Sequence, residues 1–467
     1  MPIKPLQIVP NLELGESALA GGQSAAYNVM VDGKGAIRRR PAIVAYSEAP
    51  PNALSAGDAI TGLYAHSDRV FATTASQRIF AVAGGGALEI SATGPLAALA
   101  GTKRPTFALW RSPLLIIASG LQVQKVDPIT LVSERLGGSP PIASEVVSMA
   151  QRIILDEGTS TATRGAFRYS DAGLPETWDA LRRADTESDS DYIVAMRSNM
   201  NELFVFGERS LQVFTPDPTT VWAPNRARRL GCAAAASVVE IDEQFAWLDP
   251  KRRILLSDGR SFQEMSAGIG SVLDGIVDVS DCFGYRVAID QFDAAVWTFP
   301  TDSRTFVMHS NGWSQWSLWQ DGVGHARFPV NAHHYWEAEN THVVGLVDGR
   351  ICKLDYSAGQ DIDGTEIKVQ VDTGYETHDT LATKTCKRVT LHIQRALAST
   401  GSIALSWRND GGAWSTPIIR SLGGDALSQV DFYSLGTYRS RQWRIEMTDA
   451  ADFVLAGAFE EFAVEGN

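Results

Sequence analysis

The sequence predicts an all-β protein, in which a β-propeller of six to seven blades is followed by a smaller C-terminal β-sandwich-like domain. Two observations support this prediction. A short apolar run, a polar or glycine turn and a second short run return roughly every 40 to 50 residues, about the length of one four-stranded blade. After this repeat ends, strand-length runs with alternating apolar and polar residues continue, as in a sandwich.

The bulk composition is that of a large globular protein. Its 467 residues are too many for one ordinary core, which favours a large radial fold or two to three domains. Hydrophobic residues make up 44% and charged residues 20%, so extensive disorder is not expected. The formal net charge of −13 argues against a protein that gains its affinity by neutralising phosphates.

Residues 1–55 are predicted to form an irregular N-terminal segment, since glycines separate its short apolar pieces. Within it, Ala36–Pro41 is expected to be extended because the residue before a proline is disfavoured from helix. A piece of this kind could close the ring of blades by pairing with the last one.

The propeller is predicted over residues 56–358. About 300 residues at 40 to 50 per blade give six to seven blades. Asp348-Gly349, between two apolar runs, supplies the positive φ angles of a tight hairpin. The repeated hairpins are Arg69–Val82, Leu114–Val126, Ile153–Tyr169 with a long turn, Leu203–Phe214, Phe245–Leu256, Val296–Met308 and His342–Leu354.

A second all-β domain is predicted over residues 359–467. The polar, acidic stretch Ser357–Gly364 is interpreted as the linker that precedes it. The strand-length runs are Ile367–Val371, Arg388–Gln394, Ile403–Trp407, Gln429–Tyr433, Gln442–Glu446 and Phe459–Val464.

The sequence contains no catalytic or cofactor motif. It lacks a phosphate-binding loop, a GxSxG elbow and an HExxH pair. Asp361, Asp363 and Glu366 resemble part of a calcium loop, but the twelfth position, which needs a bidentate glutamate, falls on Gln370. We therefore predict a protein that is not an enzyme, with no catalytic residue, no cofactor and no metal.

A second acidic group is interpreted as a solvated loop. In an extended segment its members would share one face, but a solvated loop is the more common use of such a run. They are Asp185, Glu187, Asp189 and Asp191.

One hairpin points to an alternative function. Asn409–Trp414 is similar to the Asp-box turn of sialidase-like propellers, which is itself structural. The alternative is a carbohydrate-binding or glycoside-hydrolysing β-propeller, and hydrolysis would need two carboxylates about 5 to 9 Å apart. An adhesive or scaffold propeller of a cell is a further possibility, which would be monomeric.

The four cysteines are predicted to be buried free thiols because no two of them form a CxxC pair. The N-terminus has no apolar signal core, and no window reaches the ~18 to 20 apolar residues of a membrane span. We expect a soluble protein that is made in the cytosol and does not insert into a membrane.

Arginines are concentrated in three places against the acidic background. The planar guanidinium group suits the carboxylates of a partner as well as phosphates. In a chain of net negative charge, contact between subunits is favoured over DNA binding, and both remain open. The predicted interface residues are Arg38, Arg39, Arg40, Arg228, Arg229, Arg439, Arg441 and Arg444.

The order of several short motifs resembles a known family. The motifs are the Met1-Pro-Ile opening, Asn28 followed by Gly35–Pro41, Phe167–Ser170, Phe204–Gly207 leading to Leu211–Phe214, Leu405–Trp407 with Asp410-Gly411 and Trp414, and Gly436 before Arg439–Arg444. In this order they are similar to the packaged-DNA stabilisation proteins, also called tail nozzle or tail hub proteins, of short-tailed bacteriophages.

The resemblance implies a structural virion protein of the phage tail, made in the host cytoplasm. Such a protein assembles as a ring, by family expectation a homohexamer, below the portal and its adaptor. The ring forms the channel through which the genome leaves, and it retains packaged DNA until ejection. The implied partners are the portal adaptor, a tail fibre or tailspike and a tail plug or needle. Contact with genomic double-stranded DNA is expected to be transient and non-specific, along acidic walls.

Overall fold

The structure, a computed structural model, describes most of the chain. The described residues are 3–6, 25–32, 34–46, 57–83, 86–90, 104–111, 113–157, 165–186, 191–218, 221–310, 312–394, 401–422, 425, 427–447 and 454–465. Strands dominate them, as the alternating sequence pattern predicts.

Six blades follow one another, each an antiparallel sheet of four consecutive strands. Blade 1 contains Ile60–His66, Arg69–Thr74, Ile79–Ala83 and Gly86–Glu89; blade 2 contains Thr106–Trp110, Leu114–Ala118, Gln124–Val126 and Ser133–Arg135; blade 3 contains Val146–Met149, Arg152–Asp156, Ala166–Tyr169 and Arg183–Asp185. Blade 4 contains Ile193–Asn199, Glu202–Gly207, Leu211–Asp217 and Val221–Arg228; blade 5 contains Val239–Ile241, Gln244–Leu248, Ile254–Ser257 and Phe262–Glu264; blade 6 contains Phe283–Ile289, Phe292–Phe299, Arg304–His309 and Gly312–Gln315.

A seventh four-stranded sheet, called blade 7, closes the ring. Its first three strands are Val330–Trp336, Thr341–Leu346 and Ile351–Asp355, and its outer strand is Ala42–Ala45 from the N-terminal segment. Val330–Trp336 packs against Ile60–His66 of blade 1. The predicted all-β propeller is confirmed, and strands from both ends of the ring meet in blade 7.

The repeated hairpins of the sequence are the second and third strands of the seven blades. Leu203 pairs with Phe214 in blade 4, and His342 pairs with Leu354 in blade 7. These two strands lie in the middle of each sheet with both faces against neighbouring blades, so most of their residues are apolar. Leu203–Gly207, for example, is entirely buried.

Tryptophans connect neighbouring blades. The indole N–H of Trp297 in blade 6 donates to the Ser237 carbonyl at 2.9 Å, before blade 5. Trp336 of blade 7 donates to Ser67 of blade 1 at 2.8 Å. Each of these two tryptophans buries a large ring between blades and still satisfies its N–H.

Apart from one separate hairpin, the remaining strands form two sheets that pack on one another. One sheet has the order Val29–Val31, Ile37–Arg39, Val454–Val464, Lys384–Gln394 and Leu427–Tyr433. In addition, Ile3–Pro5 pairs with Val454–Val464 and Thr437–Tyr438 pairs with Lys384–Gln394. The other contains Ala26–Tyr27, Val369–Asp372, Arg441–Met447, Ser402–Asn409 and Ile418–Ser421. Leu391, Leu405 and Trp443 lie in the core between them, which confirms the predicted sandwich-like arrangement.

The propeller and the sandwich share a sheet. Gly312–Gln315 of blade 6 pairs in parallel with Ala26–Tyr27, and Ala26–Tyr27 pairs antiparallel with Val369–Asp372. Blade 6 and one sandwich sheet therefore form one nine-stranded sheet. The N-terminal segment contributes strands to both parts, while the domain limits at 55/56 and 358/359 stay a prediction.

Helices are few among the described residues. The α-helix Gly270–Asp274 is one turn long, and the 3-10 turns are Ala235–Ser237, Ala267–Ile269, Glu337–Glu339 and Ile362–Gly364. None of these is long and apolar enough to cross a membrane. A separate hairpin, Ser317–Gln320 with Gly324–Arg327, joins blades 6 and 7.

Candidate functional site

The predicted interface arginines lie in three different environments. In the first group, Arg40 is fully buried and forms a bidentate pair with Asp361, with N–O distances of 2.9 and 2.5 Å. Its other donors contact the Asn28 amide oxygen at 3.0 Å and the Ser317 carbonyl at 3.1 Å. Asp361 also accepts the Ile43 N–H at 2.8 Å. This guanidinium joins the N-terminal segment, the hairpin before blade 7 and the predicted linker.

Arg39 and Arg38 flank this pair. Arg39 is also buried and donates to the carbonyls of Ala358, at 2.7 Å, and Gly359. Arg38 lies 3.8 Å above the centroid of the Tyr356 ring and 3.6 Å from the Asp290 carboxylate. The interface prediction is therefore corrected for Arg39 and Arg40, because their guanidinium groups are enclosed within one subunit.

The second group lies on the outer edges of blades 4 and 5. Arg228 and Arg229 are exposed, and Arg228 donates to the Arg260 carbonyl at 3.0 Å. Nearby, Arg226 pairs with Glu202 at 2.5 Å. Arg228 and Arg229 remain accessible to a second subunit, and their role there stays a prediction.

The third group divides between surface and core. Arg439 is exposed, whereas Arg441 is fully buried, with its Cζ 4.2 Å from the Tyr438 ring centroid. Arg444 forms a bidentate pair with Asp372 at 2.8 Å for both contacts and stacks 3.9 Å above Trp414. Burial shields Arg441 from any partner subunit, so the interface prediction is corrected for this residue too.

A cluster of buried ionisable groups beside Arg441 was not found from the sequence. Glu460 is fully buried, and it accepts hydrogen bonds from Tyr438 at 2.5 Å and His378 at 3.1 Å. Burial raises the pKa of Glu460, but the hydrogen bonds from its neighbours outweigh this effect and leave the pKa below its ordinary value. Lys384, fully buried, donates to the Thr380 and Ala382 carbonyls. Its members come from two separate segments of the chain, residues 378–384 and 438–460, so no local motif could have signalled the cluster.

The innermost strands of the seven blades surround a central cavity of about 1280 Å³. Glu145 on its wall is 2% exposed and pairs with Arg197 at 2.7 Å. Burial raises the pKa of Glu145, and Arg197 opposes that rise. Asp156 behind it accepts the backbone N–H groups of Ser144 and Glu145 at 2.7 and 2.8 Å. Both carboxylates hold the cavity wall together, and neither is presented to a substrate by these contacts.

The acidic groups of the sequence are mostly bound to arginines and backbone. Asp361 is occupied by Arg40, and Asp363 contacts Arg350 at 2.8 Å. Asp191 is buried and accepts the Ser210 N–H at 2.7 Å. Asp185 pairs with Arg183, and Glu187 and Asp189 lie outside the described residues. Within the described ranges, no group of three or more His, Cys, Asp or Glu side chains is placed to hold a metal ion.

The Asp-box-like hairpin is a structural turn. Asp410 and Gly411 both have positive φ, of 49° and 78°. The Asp410 carboxylate accepts the N–H and Oγ–H of Ser440 at 2.9 and 3.0 Å, which fixes this turn to the neighbouring strand.

The four cysteines are buried and free, as predicted; they are Cys232, Cys282, Cys352 and Cys386. Burial raises the pKa of the thiols of Cys232 and Cys352 to about 12. At neutral pH both are therefore protonated and poor nucleophiles.

The comparisons with known proteins concern the family and the fold. The profile of the family Phage_stabilise, described as bacteriophage P22 Gp10, beta-propeller, matches residues 65–359, well over half of the chain. No curated protein matches the chain in sequence.

Several solved structures match the chain at 10% sequence identity. The computationally designed Ika8 protein matches with a TM-score of 0.41 over 68% of this chain and 99% of its own. The Pan2 WD40 domain of Neurospora crassa matches with a TM-score of 0.41 over 69% of this chain and 96% of its own. YCF48 from Cyanidioschyzon merolae matches with a TM-score of 0.45 over 67% of this chain and 99% of its own. At these TM-scores the similarities carry no argument about function.

Proposed function

The chain belongs to the Phage_stabilise family of bacteriophage P22 Gp10 and is a phage structural protein with a β-propeller; on that premise, we propose that it is the tail nozzle, or tail hub. In this role, copies of the chain form a ring below the portal adaptor. The ring is the exit channel for the genome and retains packaged DNA until ejection. The family match over residues 65–359 is the observation that carries the proposal.

The construction of the fold supports a mechanical role. The propeller and the sandwich share the nine-stranded sheet, and the buried Arg40–Asp361 pair ties both to the N-terminal segment. Interfaces between domains that lack such connections commonly allow relative motion. A subunit joined by a continuous sheet is suited to hold a channel open under load.

The proposed channel lies between subunits and not along the axis of one propeller. Arg104, before blade 2, and Phe283, in blade 6, both line the cavity inside the propeller, and the Arg104 guanidinium lies 3.8 Å from the Phe283 ring centroid, so side chains occupy part of this space. The net charge of −13 suits a channel with acidic walls. Such walls repel phosphates, whereas basic walls would bind DNA and slow its release.

The proposal includes a set of partners. Above the ring lies the portal adaptor, around it tail fibres or tailspikes, and at its end a plug or needle. Of the eight predicted interface arginines, Arg228, Arg229 and Arg439 are exposed and accessible to carboxylates of a neighbouring subunit.

Particles assembled with and without the chain test the function. We expect particles without it to package DNA but to lose it, so that the DNA becomes sensitive to added nuclease. Addition of the purified chain should restore nuclease resistance. Equal DNA retention in both kinds of particle would contradict the proposal, and hydrolysis of glycans by the purified chain would support the carbohydrate alternative instead.

A further inference from the structure

Two arginines converge on one amide. Arg104 and Asn331 line the central cavity, and Arg327 reaches the same amide from the hairpin before blade 7. Arg104 precedes blade 2, Arg327 ends the hairpin before blade 7, and Asn331 lies in the first strand of blade 7. The Asn331 Oδ1 accepts hydrogen bonds from Nη2 of Arg104 and Nη2 of Arg327, both at 3.0 Å. The two Nη2 atoms are therefore at most about 6 Å apart.

The amide is fixed in the orientation that faces both arginines. Its Nδ2 donates to the Ile60 carbonyl at 2.7 Å, so the oxygen points to the guanidinium groups. Arg104 also donates to the Asn331 backbone carbonyl and stacks 3.8 Å above Phe283. Both cations are thus positioned by packing and hydrogen bonds to neutral groups.

The charge of this arrangement is not balanced. Among the described residues, no carboxylate oxygen lies within 4.0 Å of either guanidinium. Asp281 is the acidic group near both, and its Oδ2 accepts the Thr301 N–H at 2.7 Å. Two cations thus face one more distant carboxylate. Nε of Arg327 is buried without a hydrogen-bond partner.

Such an arrangement is unfavourable without a counter-ion. Burial, together with the neighbouring Arg327, lowers the pKa of Arg104 to about 10. Arg104 and Arg327 are both half-buried. Charges that are partly withdrawn from water are normally paired, and a guanidinium presents its donors in a planar fork that matches the oxygens of phosphate.

We infer that Arg104, Arg327 and Asn331 form a binding site for a small oxyanion of the phosphate or sulfate type, reached from the central cavity. The anion would lie between the two guanidinium groups and accept from donors that have no other partner, including Nε of Arg327. The inference concerns the inside of one propeller and does not depend on the proposed ring.

Inorganic phosphate is the probe that tests the site. We expect calorimetric titration at constant ionic strength, with chloride as the replaced anion, to show saturable binding of phosphate to the full chain. Arg327→Gln should weaken this binding at least tenfold, because it removes one of the two guanidinium groups. Arg228→Gln is the matched control, since Arg228 is an exposed arginine outside the cavity, and it should bind as the unaltered chain does.

Thermal unfolding supplies a second measurement, which distinguishes binding at the site from a general effect of phosphate. Phosphate raises the unfolding midpoint of many proteins without binding to a site, and this general effect is equal in all variants. Binding adds an increase that saturates and that Arg327→Gln lacks. Without phosphate, Arg327→Gln should unfold no earlier than the unaltered chain, because it relieves repulsion between like charges.

The outcomes separate clearly. Saturable binding that is lost in Arg327→Gln and kept in Arg228→Gln supports the site. No saturable binding, or equal binding by Arg327→Gln, overturns it. If Arg327→Gln does not fold, Arg327→Lys keeps the charge but removes the fork, and undiminished binding by that variant would also overturn the inference.

Discussion

Arg40 and Asp361 form a bidentate ion pair in which neither side chain is exposed, although the two residues are 321 positions apart in sequence. Asn28, Ser317 and the Pro41 carbonyl accept the other donors of Arg40. The N-terminal segment, the hairpin between blades 6 and 7 and the predicted linker before the sandwich therefore meet at one guanidinium.

Removal of one partner of this pair should strongly destabilise the chain. We expect Arg40→Met to lower the free energy of unfolding by about 3–5 kcal/mol, because it leaves the Asp361 carboxylate buried without its counter-charge. Denaturant unfolding measures the loss. Arg350→Met is the control, since its partner Asp363 is 67% exposed and an exposed pair contributes at most about 1 kcal/mol. Equal losses in the two variants would contradict this account.

The buried histidines should make the chain sensitive to mild acid. Burial lowers the pKa of His309 to about 3 and those of His325 and His334 to about 4. Because these pKa values are depressed in the folded state, the stability is complete above the unfolded pKa of about 6.5 and is lost as pH falls towards the folded values. In that window, each histidine lowers the free energy of unfolding by up to about 1.4 kcal/mol for each pH unit that the pH falls.

His334→Phe isolates one histidine of this set, because a phenyl ring can keep the contact that His334 makes with Tyr64. We expect the free energy of unfolding, measured between pH 7 and 5, to fall less steeply for this variant. An unchanged slope would show that His334 does not titrate as its burial requires.

The Glu460 carboxylate should stabilise the sandwich at neutral pH. Its pKa in the folded state lies below the ordinary value, so its contribution is present above an unfolded pKa of about 4.3 and is lost as pH falls through the folded pKa. We expect Glu460→Gln to lower the free energy of unfolding by about 3–5 kcal/mol at pH 7. This difference in free energy between the variant and the unaltered chain should narrow below about pH 4. A gap of constant size from pH 7 to 3 would contradict the assignment.

The N-terminal segment should be required for folding of the propeller. A chain that begins at residue 56 lacks Ala42–Ala45, the outer strand of blade 7, as well as the strands that the segment adds to both sandwich sheets. We expect it to be insoluble or readily proteolysed. In the full chain, Ile43→Asp should be destabilising and Ile3→Asp tolerated, since Ile43 is fully buried and Ile3 is 60% exposed. A stable, soluble chain from residue 56 would instead support an independent propeller with the predicted limits.

The exposed arginines should contribute to ring assembly. Arg228→Glu combined with Arg229→Glu reverses two charges on the outer edges of blades 4 and 5, and we expect it to weaken association of the subunits without a change in the circular dichroism spectrum. Sedimentation at several protein concentrations measures the effect. Association as strong as that of the unaltered chain would remove these two residues from the predicted interface.

The sequence was sufficient to predict the middle strands of each blade. They are mostly apolar on both faces, so runs such as Leu203–Phe214 stand out, and their regular return indicates the propeller. The outer strands are not visible in the same way. Ser133–Arg135 is three residues long and mostly exposed, and Ala42–Ala45 joins blade 7 from a distant part of the chain.

The candidate sites were harder to predict because charge in the sequence does not reveal burial. Arg38-Arg39-Arg40 has the appearance of a basic surface run, yet two of its members are enclosed by partners more than 270 residues away. The convergence of Arg104 and Arg327 on Asn331 is equally non-local, because it depends on how blade 7 meets the entry to blade 2.

The mass of the purified chain, alone and mixed with the portal–adaptor complex of its virion, tests the proposed nozzle most directly. We expect light scattering and negative-stain imaging to show a ring of about six copies that docks on the adaptor, with a central hole wide enough for duplex DNA. A chain that stays monomeric under both conditions would contradict the account.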